Sequence, residues 1–272
     1  MSGSYWEAVR SQGLGVPSDR PLVELTTELT RMLGDADPDT RDAIAYPTLS
    51  TWIARGVYDD LLSGLGDGMA AGLIVGLGES GTDTVFRRSF SALVLRECIA
   101  RDNERPLVPG GKVLEWGDRL VTWLLREQDL RDVVPGKGPA QALAHGADAL
   151  ATLAGSPHLA APELTVLLDV VADRVLAPVP VAYPQHDADQ LARATIAVLR
   201  RDTVPFPVVE AWVNRVGATS RTPAIARDNA ESFLRALYLQ LALGPQPPAV
   251  RADLLLVMVD VLRRRNPDLR KG

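Results

Sequence analysis

Ala161-Pro162-Glu163-Leu164-Thr165-Val166-Leu167-Leu168-Asp169-Val170-Val171-Ala172-Asp173-Arg174-Val175-Leu176-Ala177 decides the fold class. Leu164, Leu167, Leu168, Val171 and Val175 recur at steps of three and four, the spacing that lines one face of an α-helix. Pro162 stands near the first turn, where its missing N–H breaks no intrahelical bond. Ala188, Leu191, Ala192, Thr195 and Leu199 repeat the pattern in the next segment. Working outward, proline and glycine punctuate the chain at intervals of about one helix or one helical hairpin. The same reading predicts helices over 21–33, 82–102, 110–127, 138–155, 161–177, 187–202, 205–216, 222–243 and 247–265, with shorter ones in 4–12 and 38–78. Asp37-Pro38 and Thr222-Pro223 open helices, Gly244-Pro245 closes one, and Arg263, Arg264 and Arg265 form a solvated helix end where the macrodipole favours cations. Leu73-Ile74-Val75 is too short and Ala177-Pro178-Val179-Pro180-Val181 too proline-rich for a central strand. The sequence therefore predicts an all-α protein, its irregular helical hairpins stacked as a HEAT-like α-solenoid. It is expected to form a single helical domain over 1–272, with a softer division near 178–186.

Composition limits the function classes. The 272 residues are 46% hydrophobic and 23% charged, ordinary for a folded globular chain. A net charge of −5 argues against a nucleic-acid partner, whose phosphates need a field of cations. Lysine occurs only at Lys112, Lys137 and Lys271, so nearly all of the 29 basic side chains are arginine, a bias that fits a GC-rich bacterial genome. Cys98 is the one cysteine and reads as a core thiol. No apolar run approaches the length of a membrane span, and the first residues lack a cationic stretch leading into an apolar one. A cytoplasmic protein with no membrane partner is expected.

The glycine-rich motifs fail their chemical tests. Gly76-Leu77-Gly78-Glu79-Ser80-Gly81 matches the dinucleotide fingerprint by letter, yet no strand precedes it and no βαβ unit surrounds it, so helix-capping glycines are expected. Gly110-Gly111-Lys112 and Gly136-Lys137-Gly138 lack the spacing of a phosphate loop.

Gly136-Lys137-Gly138-Pro139-Ala140-Gln141-Ala142-Leu143-Ala144-His145-Gly146-Ala147-Asp148 is different. Within a helix over 138–155, Gln141, His145 and Asp148 would share one face. His145 could act as a general base with Asp148 as its orienting carboxylate, or the three could form a buried polar seam. No second histidine shares that face, so no metal is predicted, and no cofactor either. Asp83 and Arg87, at i and i+4, are expected to pair. Arg88 is then left to reach Asp148 or an anionic ligand. Glu127, Asp129 and Asp132 are expected in a solvated loop. Arg235 and Tyr238, three apart, could face a common groove.

Phe86-Arg87-Arg88-Ser89-Phe90-Ser91-Ala92-Leu93, the Glu127–Arg131 segment, the Gly136-Lys137-Gly138 turn with Ala144-His145-Gly146-Ala147-Asp148, and Phe233–Tyr238 together resemble an uncharacterised bacterial domain-of-unknown-function family. Its hallmark is similar to K-G-W-A-H-x-x-A-H-G-A-D. The resemblance implies an all-helical fold and brings no activity or cofactor with it. Pro139 stands where that pattern has tryptophan and Gln141 where it has the first histidine, which weakens any metal reading further.

Two functional classes follow. The first is a binding module that holds a peptide or small molecule in a concave groove lined by Arg88, Gln141, His145, Asp148, Arg235 and Tyr238. The second is an enzyme of bacterial specialised metabolism using acid–base catalysis at His145 and Asp148. A continuous apolar groove without convergent catalytic groups favours the first, and a closed pocket holding His145 the second.

Overall fold

Helices account for nearly all the regular structure, as the apolar spacing predicts. The computed structural model describes residues 2–218, 222–266 and 268. In order, the elements are α1 (Ser2–Ser11), α2 (Leu22–Met32), α3 (Pro38–Thr40), a π-helical turn (Arg41–Ala45), α4 (Tyr46–Ala54), a 3₁₀ turn (Asp59–Leu61) and α5 (Leu62–Gly72). There follow α6 (Thr84–Glu104), α7 (Gly110–Arg126), the two-residue strands β1 (Val133–Val134) and β2 (Gly138–Pro139), and α8 (Ala142–Ala154). The rest are α9 (Ala161–Leu176), α10 (Gln185–Leu199), α11 (Phe206–Gly217), α12 (Ala224–Leu243) and α13 (Arg251–Arg265). Most predicted helix ends fall within two or three residues of these. The strands form a small antiparallel hairpin, Val133 opposite Pro139 and Val134 opposite Gly138.

The chain divides into two compact units, Met1–Ala149 and Leu150–Gly272. In the first, α6 packs against α4, α5 and α7, α2 against α4, and α5 against α7. Val85, Phe86, Phe90, Leu95, Cys98 and Ile99 of α6 are buried at its centre. Glycine permits the closest approaches. A Cβ on Gly66 would lie 2.1 Å from the Trp116 ring, and one on Gly72 would lie 2.1 Å from Ser91 Oγ. In the second unit α12 packs against α9, α10, α11 and α13, with Phe233, Leu234, Leu237 and Leu241 inside. Trp212 of α11 donates to the Leu168 carbonyl of α9 at 2.7 Å and packs edge-on to Phe233. Among the described residues, no helix is long and apolar enough to cross a membrane.

Candidate functional site

Arg88 organises the polar centre of the first unit. It lies on the buried side of α6 and is fully enclosed. Its Nε and Nη2 donate to the two Glu127 carboxylate oxygens at 2.6 and 2.8 Å, a bidentate pair. Nη1 donates to the carbonyls of Val75 and Gly76 and to Thr84 Oγ1, at 3.0, 2.9 and 2.9 Å. The expected contact to Asp148 is therefore replaced by one to Glu127. The glycine-rich loop at 76–81 wraps this guanidinium, with positive φ at Gly76, Gly78 and Gly81.

Glu127 sits just past the last residue of α7, where its carboxylate also accepts from Trp123 Nε1 at 2.8 Å and from the Asp129 amide at 2.9 Å. Asp129, fully buried, accepts from the Gly81 amide and from Arg131. Burial works to raise its carboxyl, but the Arg131 guanidinium and the amides of Gly81 and Arg131 outweigh that and hold it below the ordinary carboxylate range. The solvated loop expected at 127–132 is instead an acidic clamp, because a buried guanidinium draws carboxylates inward. Asp83 likewise pairs with Lys137, through both carboxylate oxygens at 2.7 and 2.8 Å, and not with Arg87, which donates to the Thr30 carbonyl.

His145, half-buried on α8, has Nδ1 2.6 Å from Ser89 Oγ on α6. Ser89 also bonds to the Ala140 carbonyl, which can only accept. The single hydroxyl proton is thus directed at Ala140, so Nδ1 must be the donor to Ser89. This polarity is opposite to that of a base-activated serine. Phe90 packs edge-on to the imidazole, with centroids 5.4 Å apart. Gly146 lets α8 approach α7, since a Cβ there would lie 2.7 Å from Leu124 and 2.9 Å from Trp123.

Gln141 stands outside the helix. Its φ of 45° is left-handed, its carbonyl accepts from the His145 amide, and Nε2 donates to Asp132 Oδ1 at 2.8 Å. The predicted start of this helix at 138 is corrected to Ala142, because β2 and the Gln141 turn consume the preceding residues. His145 and Asp148, three apart on α8, keep their expected spacing and are both half-buried. Arg235 and Tyr238 belong to the second unit. Arg235 is exposed and donates to Glu231 and to Asn266, while Tyr238 is half-buried.

Sequence reasoning missed Arg41. The π-helical turn buries it completely, and its guanidinium lies 4.0 Å from the Phe86 ring centroid and 4.9 Å from that of Phe90. Nη2 donates to the Lys137 carbonyl at 2.7 Å, docking the glycine turn. The signal was present in the three-four spacing of Arg41 with Ile44, Ala45, Thr48 and Leu49. Ser89 was quoted within a motif but given no role.

The sequence model of a family described as a protein of unknown function (DUF2785) matches residues 73–239, more than half of the chain. The chain belongs to the DUF2785 family. No curated protein and no solved structure matches it. The DUF2785 segment contains Arg88, Glu127, Asp129, Ser89 and His145, so the whole polar centre except Arg41 falls inside it.

A groove of about 350 Å³ opens between α2 and α5, lined by Leu22, Val23, Tyr58, Leu61, Leu65 and Met69 together with three threonines and two glycines. Among the described residues that line it there is no Asp, Glu, His, Lys or Arg. Burial pushes the Tyr58 phenol up to about 12, so it stays neutral, and its hydroxyl is 2.9 Å from Thr26 Oγ1. The cleft between α5 and α7 differs, for Asp67, Glu115 and Arg119 stand in its wall. Among the described residues no three His, Cys, Asp or Glu side chains gather as a metal site would require.

Proposed function

We propose that this DUF2785 protein is a binding module of HEAT-like helical hairpins, acting in the bacterial cytoplasm, which holds the apolar side of a peptide helix between α2 and α5. The observation that carries the reading is the chemistry of that groove, which is apolar and free of titratable groups other than a neutral phenol. The alternative, acid–base catalysis at His145 and Asp148, has less support because Ser89, itself bonded to the Ala140 carbonyl, already engages Nδ1 of the imidazole. Packing of α2 on α4, α4 on α6, α5 on α7, α9 on α11 and α10 on α12, each helix against the next but one, supports the hairpin-repeat description.

A peptide helix suits the groove because Gly64 and Gly68, one turn apart on α5, both line it and would each place a Cβ in open space. Small residues at this spacing let a second helix come close. The test uses a fluorescein-labelled Leu/Ala amphipathic peptide of about 15 residues, just over four helical turns. Saturable anisotropy is expected with the native chain, weakened at least tenfold by Gly64→Leu/Gly68→Leu, whose melting temperature should not fall. His145→Ala should bind as the native chain does. Equal binding by the glycine variant, or no saturable binding by the native chain, overturns the reading.

A further inference from the structure

The cleft between α5 and α7 in the first unit offers a ligand both apolar and ionic contact. Ala70, Ala71, Ile74 and Trp116 make its apolar wall. Ile74 is 54% exposed there, while Trp116 is buried against α5 at the position that Gly66 keeps clear. The cleft encloses about 290 Å³, the space that about ten waters take up in the liquid. A ligand of similar size, about ten non-hydrogen atoms, fits it.

The ionic groups of the wall decide the sign of that ligand. Asp67 accepts from Trp116 Nε1 at 2.9 Å and lies 3.4 Å from Lys112 Nζ, which donates to Glu115 at 2.7 Å. Both carboxylates of the wall are thereby matched within the fold. Arg119, one turn after Glu115 and also in the wall, is exposed, and no described residue accepts from its guanidinium. Lys112 holds Glu115, the carboxylate at i−4 that could otherwise neutralise Arg119. Asp118, beside Arg119 in sequence, does not face it on the helix. An apolar wall with one unmatched cation at its rim suits a small amphipathic anion, its body against Ile74 and Trp116 and its carboxylate on the guanidinium. A cationic ligand would be repelled by Arg119 and find both carboxylates engaged. We infer that the α5–α7 cleft binds a small carboxylate with an apolar body. The inference is independent of the α2–α5 groove.

Isothermal titration of the full chain with octanoate, a carboxylate of that size, is expected to show saturable one-to-one binding in roughly the millimolar range. Arg119→Gln should weaken it about threefold or more, and Arg119→Lys, which keeps the charge, should retain most of the affinity. Arg126→Gln removes a second exposed arginine two turns along α7 that does not line the cleft, and should change nothing. Octylamine should bind more weakly than octanoate. Ala71→Leu, which fills the cleft from an exposed position, should abolish binding with an unchanged melting temperature, while Gly64→Leu/Gly68→Leu should bind octanoate as the native chain does. Four outcomes overturn the inference: no saturable octanoate binding, equal binding of octylamine, affinity untouched by Arg119→Gln or lowered as much by Arg126→Gln, or binding that survives Ala71→Leu and is lost in the double-glycine variant.

Discussion

Glu127→Gln tests whether the polar centre of the first unit is held together by charge. The substitution keeps the side-chain shape and one carbonyl acceptor but leaves the enclosed Arg88 guanidinium without its counter-ion. Removing one partner of a buried ion pair costs about 3–5 kcal/mol. Arg88 retains the carbonyls of Val75 and Gly76 and Thr84 Oγ1, so the loss should fall near the lower bound, about 3 kcal/mol. Arg88→Met also strands the glycine-loop carbonyls and should approach about 5 kcal/mol. Because both single changes break the same contacts, the double variant should cost about 3 kcal/mol less than their sum. Urea unfolding followed by tryptophan fluorescence reads the relevant unit, since Trp6, Trp52, Trp116 and Trp123 lie within it and only Trp212 lies in the other. With a slope of about 3 kcal/mol per molar urea, Glu127→Gln should lower the midpoint by about 1 M. Additive single costs, or a midpoint unmoved by either change, would refute the reasoning.

Two further outcomes concern single groups. The Asp129 carboxyl is held below its unfolded value of about 3.9, so its contribution is complete above that pH and is lost as pH falls through the folded value. Asp129→Asn should therefore flatten the acid limb of stability below about pH 4, measured as urea midpoints at successive pH values, and parallel acid limbs would count against it. Burial and the nearby Glu97 raise the Cys98 thiol far above its ordinary range. A thiol-reactive disulfide reagent should label it only as fast as the chain unfolds, and rapid labelling of the native protein would contradict its enclosure.

The helices were legible because apolar spacing and proline punctuation are local properties, set within one or two turns. What the polar residues touch was not, because those contacts are long-range. Arg88 meets Glu127 39 positions away, and no spacing rule identifies that carboxylate over Asp148. The Glu127–Asp132 run has the composition of a solvated loop, and only the enclosed guanidinium explains why Glu127 and Asp129 turn inward. The four-residue spacing of Gln141 to His145 fits one helical face, and that local pattern puts Gln141 on the helix. The Arg41 contacts to the Lys137 and Pro139 carbonyls hold the preceding turn as a hairpin instead. His145 and Asp148 both lie inside α8, where local geometry sets their spacing.

The glycines of α5 separate what the fold requires from what it merely tolerates. Gly66 and Gly72 are explained by packing, since any Cβ there collides with Trp116 or Ser91. Gly64 and Gly68 meet nothing within 4 Å, so alanine would fit at both and the folded chain gains no close contact from their absence of a side chain. Each helical glycine costs about 0.5–1 kcal/mol relative to alanine, and the pair leaves roughly 1–2 kcal/mol of stability unrecovered. Both positions therefore lie on a surface where a bulkier side chain can be placed without disturbing the fold. Here that surface is the wall of an apolar groove with no ionic group in its lining. The same unit commits Arg88, Glu127, Asp129 and His145 to internal hydrogen bonds, which leaves shape and apolar contact as the means by which the groove would select what it holds.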